Sequence, residues 1–227
     1  MNKILILVRH GQSTYNLENR FTGWKDVPLT SKGVDEAKNA GNILKESNIV
    51  FDLAYTSKLK RAQDTLDIIL NQIDIKLDII ENEALNERDY GDLIGQNKAD
   101  AAKKFGAEQV QIWRRSYDTP PPGGESLKMT CDRTLPYFKD VVMKNILENN
   151  LNVLLSAHGN SIRAIVKDLF NYDAKTILKT EIGWCEPWCF QFDDSGAIID
   201  FNLLGIDNIE QSNSHIPLMP NIKENCK

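Results

Sequence analysis

The sequence predicts an α/β fold, a three-layer α/β/α sandwich around a mostly parallel sheet. Two observations carry this. Short apolar runs alternate with longer amphipathic stretches along most of the chain, the pattern of strands connected by helices. The runs are also apolar at consecutive positions, as in ILILV at 4–8 and VLLSA at 153–157, and such strands are covered on both faces.

The elements follow in order. Residues 3–8 read as a buried strand. A polar loop leads through Leu29, Thr30, Ser31, Lys32 and Gly33 into a helix whose Val34, Ala37, Ala40, Gly41 and Leu44 share one face. Residues 51–55 form a second strand and 58–70 a second helix. A third strand over 77–80 runs into the acidic stretch ENEALNERDYGDLIG. Residues 97–116 are helical around Ala99, Ala102, Phe105, Val110 and Trp113. TPPPGGES breaks the chain, since neither a helix nor a central strand tolerates it. A long helix over 125–148 contains Pro136, which should kink it. A strand at Val153–Ala157 and a helix over 162–170 follow, and strands at Trp188–Phe192 and Ile198–Leu203 close the fold.

A chain of 227 residues supports one well-buried core and is short for two. We therefore expect one domain over 1–204 and a polar, mobile C-terminal tail over 205–227. Hydrophobic content of 41% with 26% charged residues is that of a soluble globular protein. The net charge of −5 gives no global reason to bind nucleic acid or an acidic membrane, so any anion site must be a local cluster of cations. Cys131, Cys185, Cys189 and Cys226 show neither disulfide-framework nor zinc spacing and read as reduced thiols. Without a signal segment or an apolar stretch near the ~18 residues of a membrane span, the chain reads as soluble and cytoplasmic.

Two of the three histidines share one setting: His10 and His158 each end an apolar strand and each precede a glycine. Ligands of open α/β sheets collect beyond the carboxyl ends of the strands. His215 lies in the polar tail and reads as solvated. Arg9 beside His10 disfavours the protonated ring, keeping the imidazole neutral and nucleophilic, and a guanidinium also grips phosphate oxygens. Further cations are Arg61, Lys98, Arg163 and the pair Arg114-Arg115, which locally reads equally well as a solvated charge run. No GxxxxGK[ST] loop, no GxGxxG and no aspartate cluster for metal ions is present. Arginines around a histidine nucleophile can instead neutralise a phosphoryl group in transfer, with no metal.

The chain resembles the histidine phosphatase superfamily, whose signature is a strand followed by Arg-His-Gly. More specifically, LVRHGQSTYN, ENRFTGWKDVPLT, YTSKLKRAQDT, ERDYGDLIGQNKAD, WRRSYDTPPP and SAHGNSIRAIVK resemble the cofactor-dependent phosphoglycerate mutases in content and order, over most of 3–170. The resemblance implies a phosphoglycerate mutase-like catalytic domain and conversion between 3-phosphoglycerate and 2-phosphoglycerate, in glycolysis and gluconeogenesis. It implies 2,3-bisphosphoglycerate as phosphoryl primer, no metal, small-molecule substrates only, and a homo-oligomer, dimer or tetramer.

By the same resemblance His10 becomes phosphohistidine, Glu87 is the general acid and base, and His158, Arg9 and Arg61 complete the catalytic group. On residue type alone Glu83 and Asp89 compete with Glu87. The implied binding residues run through Gly11, Gln12, Ser13, Thr14, Tyr15 and Asn16. They continue with Thr22, Gly23, Arg88, Asp89, Tyr90, Lys98, Arg114, Arg115, Gly159 and Asn160. Two departures stand out. Gln12 replaces a frequent glutamate, and an insert of the longer mutases after Pro122 is absent, which bears on active-site cover. A phosphomonoesterase would share the nucleophile and let water capture the phosphoryl group, and a non-catalytic phosphate-binding protein is the alternative of another class. Cover for the site is expected from the tail, with Ile216, Pro217, Leu218 and Met219 folding over bound substrate.

Overall fold

The computed structural model describes residues 3–207 and 212–219; Cys226 and the rest of the tail lie outside them. Strand β1 (Lys3–Arg9) is buried on both faces until Arg9. Its Leu5 and Leu7 enter one core cluster, and Ile4, Ile6 and Val8 enter the other, which is why the run is continuously apolar. The short α1 (Thr14–Leu17) is capped by Ser13, and α2 (Ser31–Glu46) by Thr30, whose side chain accepts from Gly33 N. Helix α2 buries Ala37, Ala40, Gly41 and Leu44 as the periodicity predicts, with Gly33 in place of Val34. Strand β2 (Leu53–Thr56), α3 (Lys60–Ile73) and the exposed edge strand β3 (Ile79–Glu81) follow.

The predicted helix over 97–116 is two helices, α4 (Lys98–Phe105) and α5 (Ala107–Arg115). Gly106 separates them with φ of 89°, a left-handed conformation that interrupts the ladder. The long helix over 125–148 is also interrupted. α6 (Leu127–Tyr137) gives way to a π-helical turn over Phe138–Met143 before α7 (Lys144–Leu147). Pro136 has no N–H for the carbonyl four residues back, and the ladder widens just beyond it.

Strand β4 (Val153–Ala157) leads directly into α8 (Gly159–Leu169), which starts earlier than predicted. The short α9 (Ala174–Lys179) was not anticipated; β5 (Trp188–Phe192) and β6 (Ile198–Leu203) have the predicted bounds. The six-stranded sheet has the order β3-β2-β4-β1-β5-β6. Its first four strands are parallel; β5 runs antiparallel to β1 and β6 to β5. Helices α2 and α3 cover one face, α6 to α8 the other, giving the three layers. No helix of the described residues is long and apolar enough to cross a membrane.

Register then places the two histidines. Strands β1 and β4 are central neighbours with Arg9 opposite Ala157, and His10 N donates to Ala157 O at 3.0 Å. Parallel pairing in this register brings both strand ends, and both His-Gly pairs, to the same point. Cys131, Cys185 and Cys189 are buried free thiols, and burial pushes all three up.

The described tail residues 212–219 are not loose. Glu181 and His215 exchange both backbone hydrogen bonds, at 3.0 and 2.9 Å. Ser214 Oγ accepts from Gly183 N and Trp188 Nε1 and donates to the buried Glu186 carboxylate. Ile216 packs on the main core, and Leu218 and Met219 lie in a groove with Phe138 and Tyr172, away from the histidines.

Candidate active site

His10 is 2% exposed and His158 fully buried. His10 Nδ1 lies 2.7 Å from Gly11 O. A carbonyl only accepts, so Nδ1 carries the proton and the lone pair is on Nε2. Arg61 Nε, 3.3 Å from Nε2, points at that lone pair. Arg61 is itself fixed by bonds to Gly23 O and Lys25 O. His10 is held neutral mainly by burial, then by Arg61, and only third by Arg9, the residue that the sequence suggests. Burial and the same cations keep His158 neutral too. Arg61 is brought by burial to about 10, still cationic at neutral pH.

His158 is oriented by Ser57, whose Oγ is 2.7 Å from Nε2. Its Nδ1 is buried and has no partner among the described residues, and the same holds for Arg9 Nε. Orphaned polar atoms in a core need a reason, and here both belong to groups suited to phosphate. Arg9 is held by Ile182 O at 2.7 Å and by the Trp184 ring, 5.4 Å from its guanidinium carbon.

Glu87 is 8% exposed, and its Oε1 accepts from Arg88 N at 2.8 Å and Asn160 N at 3.1 Å. Glu83 is exposed on a 3₁₀ turn, and Asp89 accepts from Gly91 N within its own loop. Of the three carboxylates that compete on residue type, Glu87 lines the cleft.

The cleft beside the histidines is lined by Arg9, Asn16, Thr22, Gly23, Glu87, Tyr90, Lys98, Arg114, Arg115, Gly159 and Asn160 of the expected residues. Asn16 spends its Oδ1 on Ser13, leaving its amide N–H groups as donors. Lys98 opens α4 and Arg114 and Arg115 end α5, so the two helices present their cations together. Phe21, Leu93, Ala101 and Val110 form a separate small core beneath them.

Other expected residues stand behind this lining. Gly11 gives its N–H to Thr65 Oγ1, and a Cβ there would lie 2.3 Å from Gly33 O, so this glycine lets helix α2 approach. Gln12 joins the start of that helix through Thr30 and Glu36. Ser13 caps α1, Thr14 is within it, and Tyr15 stacks with Arg20. Buried Arg88 donates to the Tyr90 hydroxyl and Arg114 O, and Asp89 N–H donates to Glu125. These shape the site without lining it. The lining also includes Arg20, Phe21, Arg163, Glu181 and Ile182. Arg163 stood among the sequence's cations. Glu181 and Ile182 carried no motif, because only tertiary packing brings the segment before β5 to the cleft.

Residues 5–202 match the histidine phosphatase superfamily (branch 1). The chain belongs to this superfamily. Within it, the chain is similar to the 2,3-bisphosphoglycerate-dependent phosphoglycerate mutase of Parvibaculum lavamentivorans, 51% identical over 90% of this chain and 97% of that one. It is likewise similar to the phosphoglycerate mutase of Schizosaccharomyces pombe, 50% identical over 90% and 96%. Among solved structures, a mycobacterial glucosyl-3-phosphoglycerate phosphatase with VO3 shares the fold at TM-score 0.75 and 24% identity, covering 89% of this chain and 98% of that one. The alpha-ribazole phosphatase of Shigella flexneri does so at TM-score 0.73 and 22% identity, covering 90% and 100%.

Proposed function

We propose that this protein interconverts 3-phosphoglycerate and 2-phosphoglycerate through phosphorylated His10, primed by 2,3-bisphosphoglycerate. The observation that carries the reading is two cationic groups at one cleft, Arg9 in its lining with Arg61 behind it on His10, and Lys98, Arg114 and Arg115 in its lining, with the Glu87 carboxylate beside them. Arg9 and Arg61 flank the histidines; Lys98, Arg114 and Arg115 come from α4 and α5. Burial lowers the pKa of Arg9, Arg61 and Lys98, and the Glu87 carboxylate opposes that at all three. A substrate with a carboxylate, a hydroxyl and a phosphate needs this arrangement, whereas hydrolysis of a monoester needs only the first group.

His10 Nε2 attacks phosphorus of the bisphosphate, the bond to the leaving oxygen breaks, and that oxygen takes a proton from Glu87. In the return step the free hydroxyl of a bound 3-phosphoglycerate attacks phosphohistidine and gives its proton to Glu87. The bisphosphate so formed reorients, and His10 takes the phosphoryl group from its other oxygen, leaving 2-phosphoglycerate. His158 and Arg9 hold the phosphoryl oxygens during transfer, stabilising charge where it develops. The remaining cations hold the rest of the substrate. The enzyme would serve glycolysis and gluconeogenesis as a cytoplasmic homo-oligomer, dimer or tetramer.

A coupled assay of 3-phosphoglycerate conversion tests this. Activity should rise with added 2,3-bisphosphoglycerate and survive excess EDTA. Release of inorganic phosphate without conversion would make the protein a phosphomonoesterase instead.

A further inference from the structure

The cleft that should receive anions also contains a carboxylate that the proposed reaction does not use. Glu181 Oε1 lies 2.6 Å from Arg115 Nη1, and its Oε2 accepts from Arg163 Nη2. All three residues line the cleft. The two arginines are held differently. Arg163 is only 13% exposed and also bonds Thr180 O through Nε and Asn160 Oδ1 through Nη1. Arg115 is 40% exposed and forms no other ion pair among the described residues. Arg163 is therefore fixed by the fold, while Arg115 is tied to Glu181 alone and can exchange it for another anion. Glu181 does not follow it, because its other carboxylate oxygen accepts from the fixed Arg163 and its backbone is paired with His215.

We infer that Glu181 is a specificity-determining residue of the distal anion subsite: it pairs with Arg115 where the substrate's outer anionic group would bind, and a small phosphorylated acid must draw Arg115 away from it. The inference rests on the mutase reading for its substrate and deepens it. An internal carboxylate weakens every anion that needs Arg115, so that only those that also engage Arg9 and Arg114 bind well. Because Arg9 bonds Ile182 O and Arg163 bonds Thr180 O, the turn carrying Glu181 is fixed from both sides. The competing carboxylate is thus held in place rather than swinging clear.

The test is titration calorimetry of wild type, Glu181→Gln and Glu181→Asp with 3-phosphoglycerate and with inorganic pyrophosphate. Pyrophosphate probes the charge of the subsite without presupposing a mutase. Glu181→Gln should bind both about three- to ten-fold more tightly, roughly the weight of one half-exposed charge. Glu181→Asp keeps the charge and should bind no more tightly than wild type. Unchanged or weaker pyrophosphate binding by Glu181→Gln overturns the inference, since Glu181 would then only support Arg115. Equal tightening in Glu181→Asp overturns it as well, because the effect would not come from charge. Failure of the mutase reading shows separately, as wild-type protein that does not convert 3-phosphoglycerate while the Gln variant still gains pyrophosphate affinity.

Discussion

The rings of His10 and His158 stand 5.0 Å apart, inclined by 58°, and are anchored through opposite nitrogens. His10 uses Nδ1 on Gly11 O and turns Nε2 to Arg61, while His158 uses Nε2 on Ser57 and has no partner for Nδ1 among the described residues. Two similar sequence settings thus occupy different ring nitrogens, which suits His10 to the proposed role of nucleophile and His158 to that of phosphate ligand.

The first prediction separates these roles. His10→Ala should abolish acid-labile labelling of the protein by 2,3-bisphosphoglycerate. His158→Ala should still label, but about 10²–10³-fold more slowly, as when one transition-state donor is lost. Rapid-quench labelling measures both. Equal rates for wild type and His158→Ala would remove His158 from the transfer step.

Glu87→Gln tests proton transfer. An amide oxygen can still accept from Arg88 N and Asn160 N, so the local structure should hold. The kcat should fall about 10²–10⁴-fold with little change in KM, as expected for loss of a general acid and base. A rise in KM at unchanged kcat would make Glu87 a binding residue only.

Stability should depend on pH through the two histidines. Both are held neutral by burial first, so their folded pKa values lie well below the ordinary 6.5. Below about pH 6.5 the unfolded chain takes up protons that the folded chain refuses, and stability falls as pH falls. Each histidine steepens that fall, to at most one proton's worth of slope. Urea melts between pH 5 and 7 should show this, and His10→Gln with His158→Gln should flatten it. An equally steep loss in the double variant would assign it to other groups.

Much of this site was legible because it is local. The strand ends that carry His10 and His158, and the breaker at Pro120–Pro122, follow from patterns within a few residues. Bounds failed where one residue acts on its own backbone, as Gly106 and Pro136 do. Whether Arg114 and Arg115 face solvent or substrate was undecidable locally, since it depends on α5 packing over Phe21. Glu181, Ile182 and the Ser57 contact to His158 were invisible, being set by residues about a hundred positions apart or by the tail.

Removal of residues 212–227 should raise hydrolysis of 2,3-bisphosphoglycerate relative to mutase turnover while leaving His10 able to be phosphorylated. The segment pairs with Glu181 and, through Ser214, holds Gly183 and Glu186, so its loss loosens the wall that carries Ile182 and Arg9. Parallel assays of phosphate release and 2-phosphoglycerate formation give the ratio. An unchanged ratio would show that water is excluded by other elements, such as α4 and α5.

The most direct test of the central claim is to locate the phosphoryl group. Wild-type protein incubated with 2,3-bisphosphoglycerate in EDTA, quenched in alkali and mapped by peptide mass spectrometry should carry one phosphoryl group on His10. Acid should remove it, and 3-phosphoglycerate should discharge it to the bisphosphate. Conversion of 3-phosphoglycerate with no phosphoenzyme, or a phosphoryl group on His158 instead, would contradict the assignment of His10 as nucleophile.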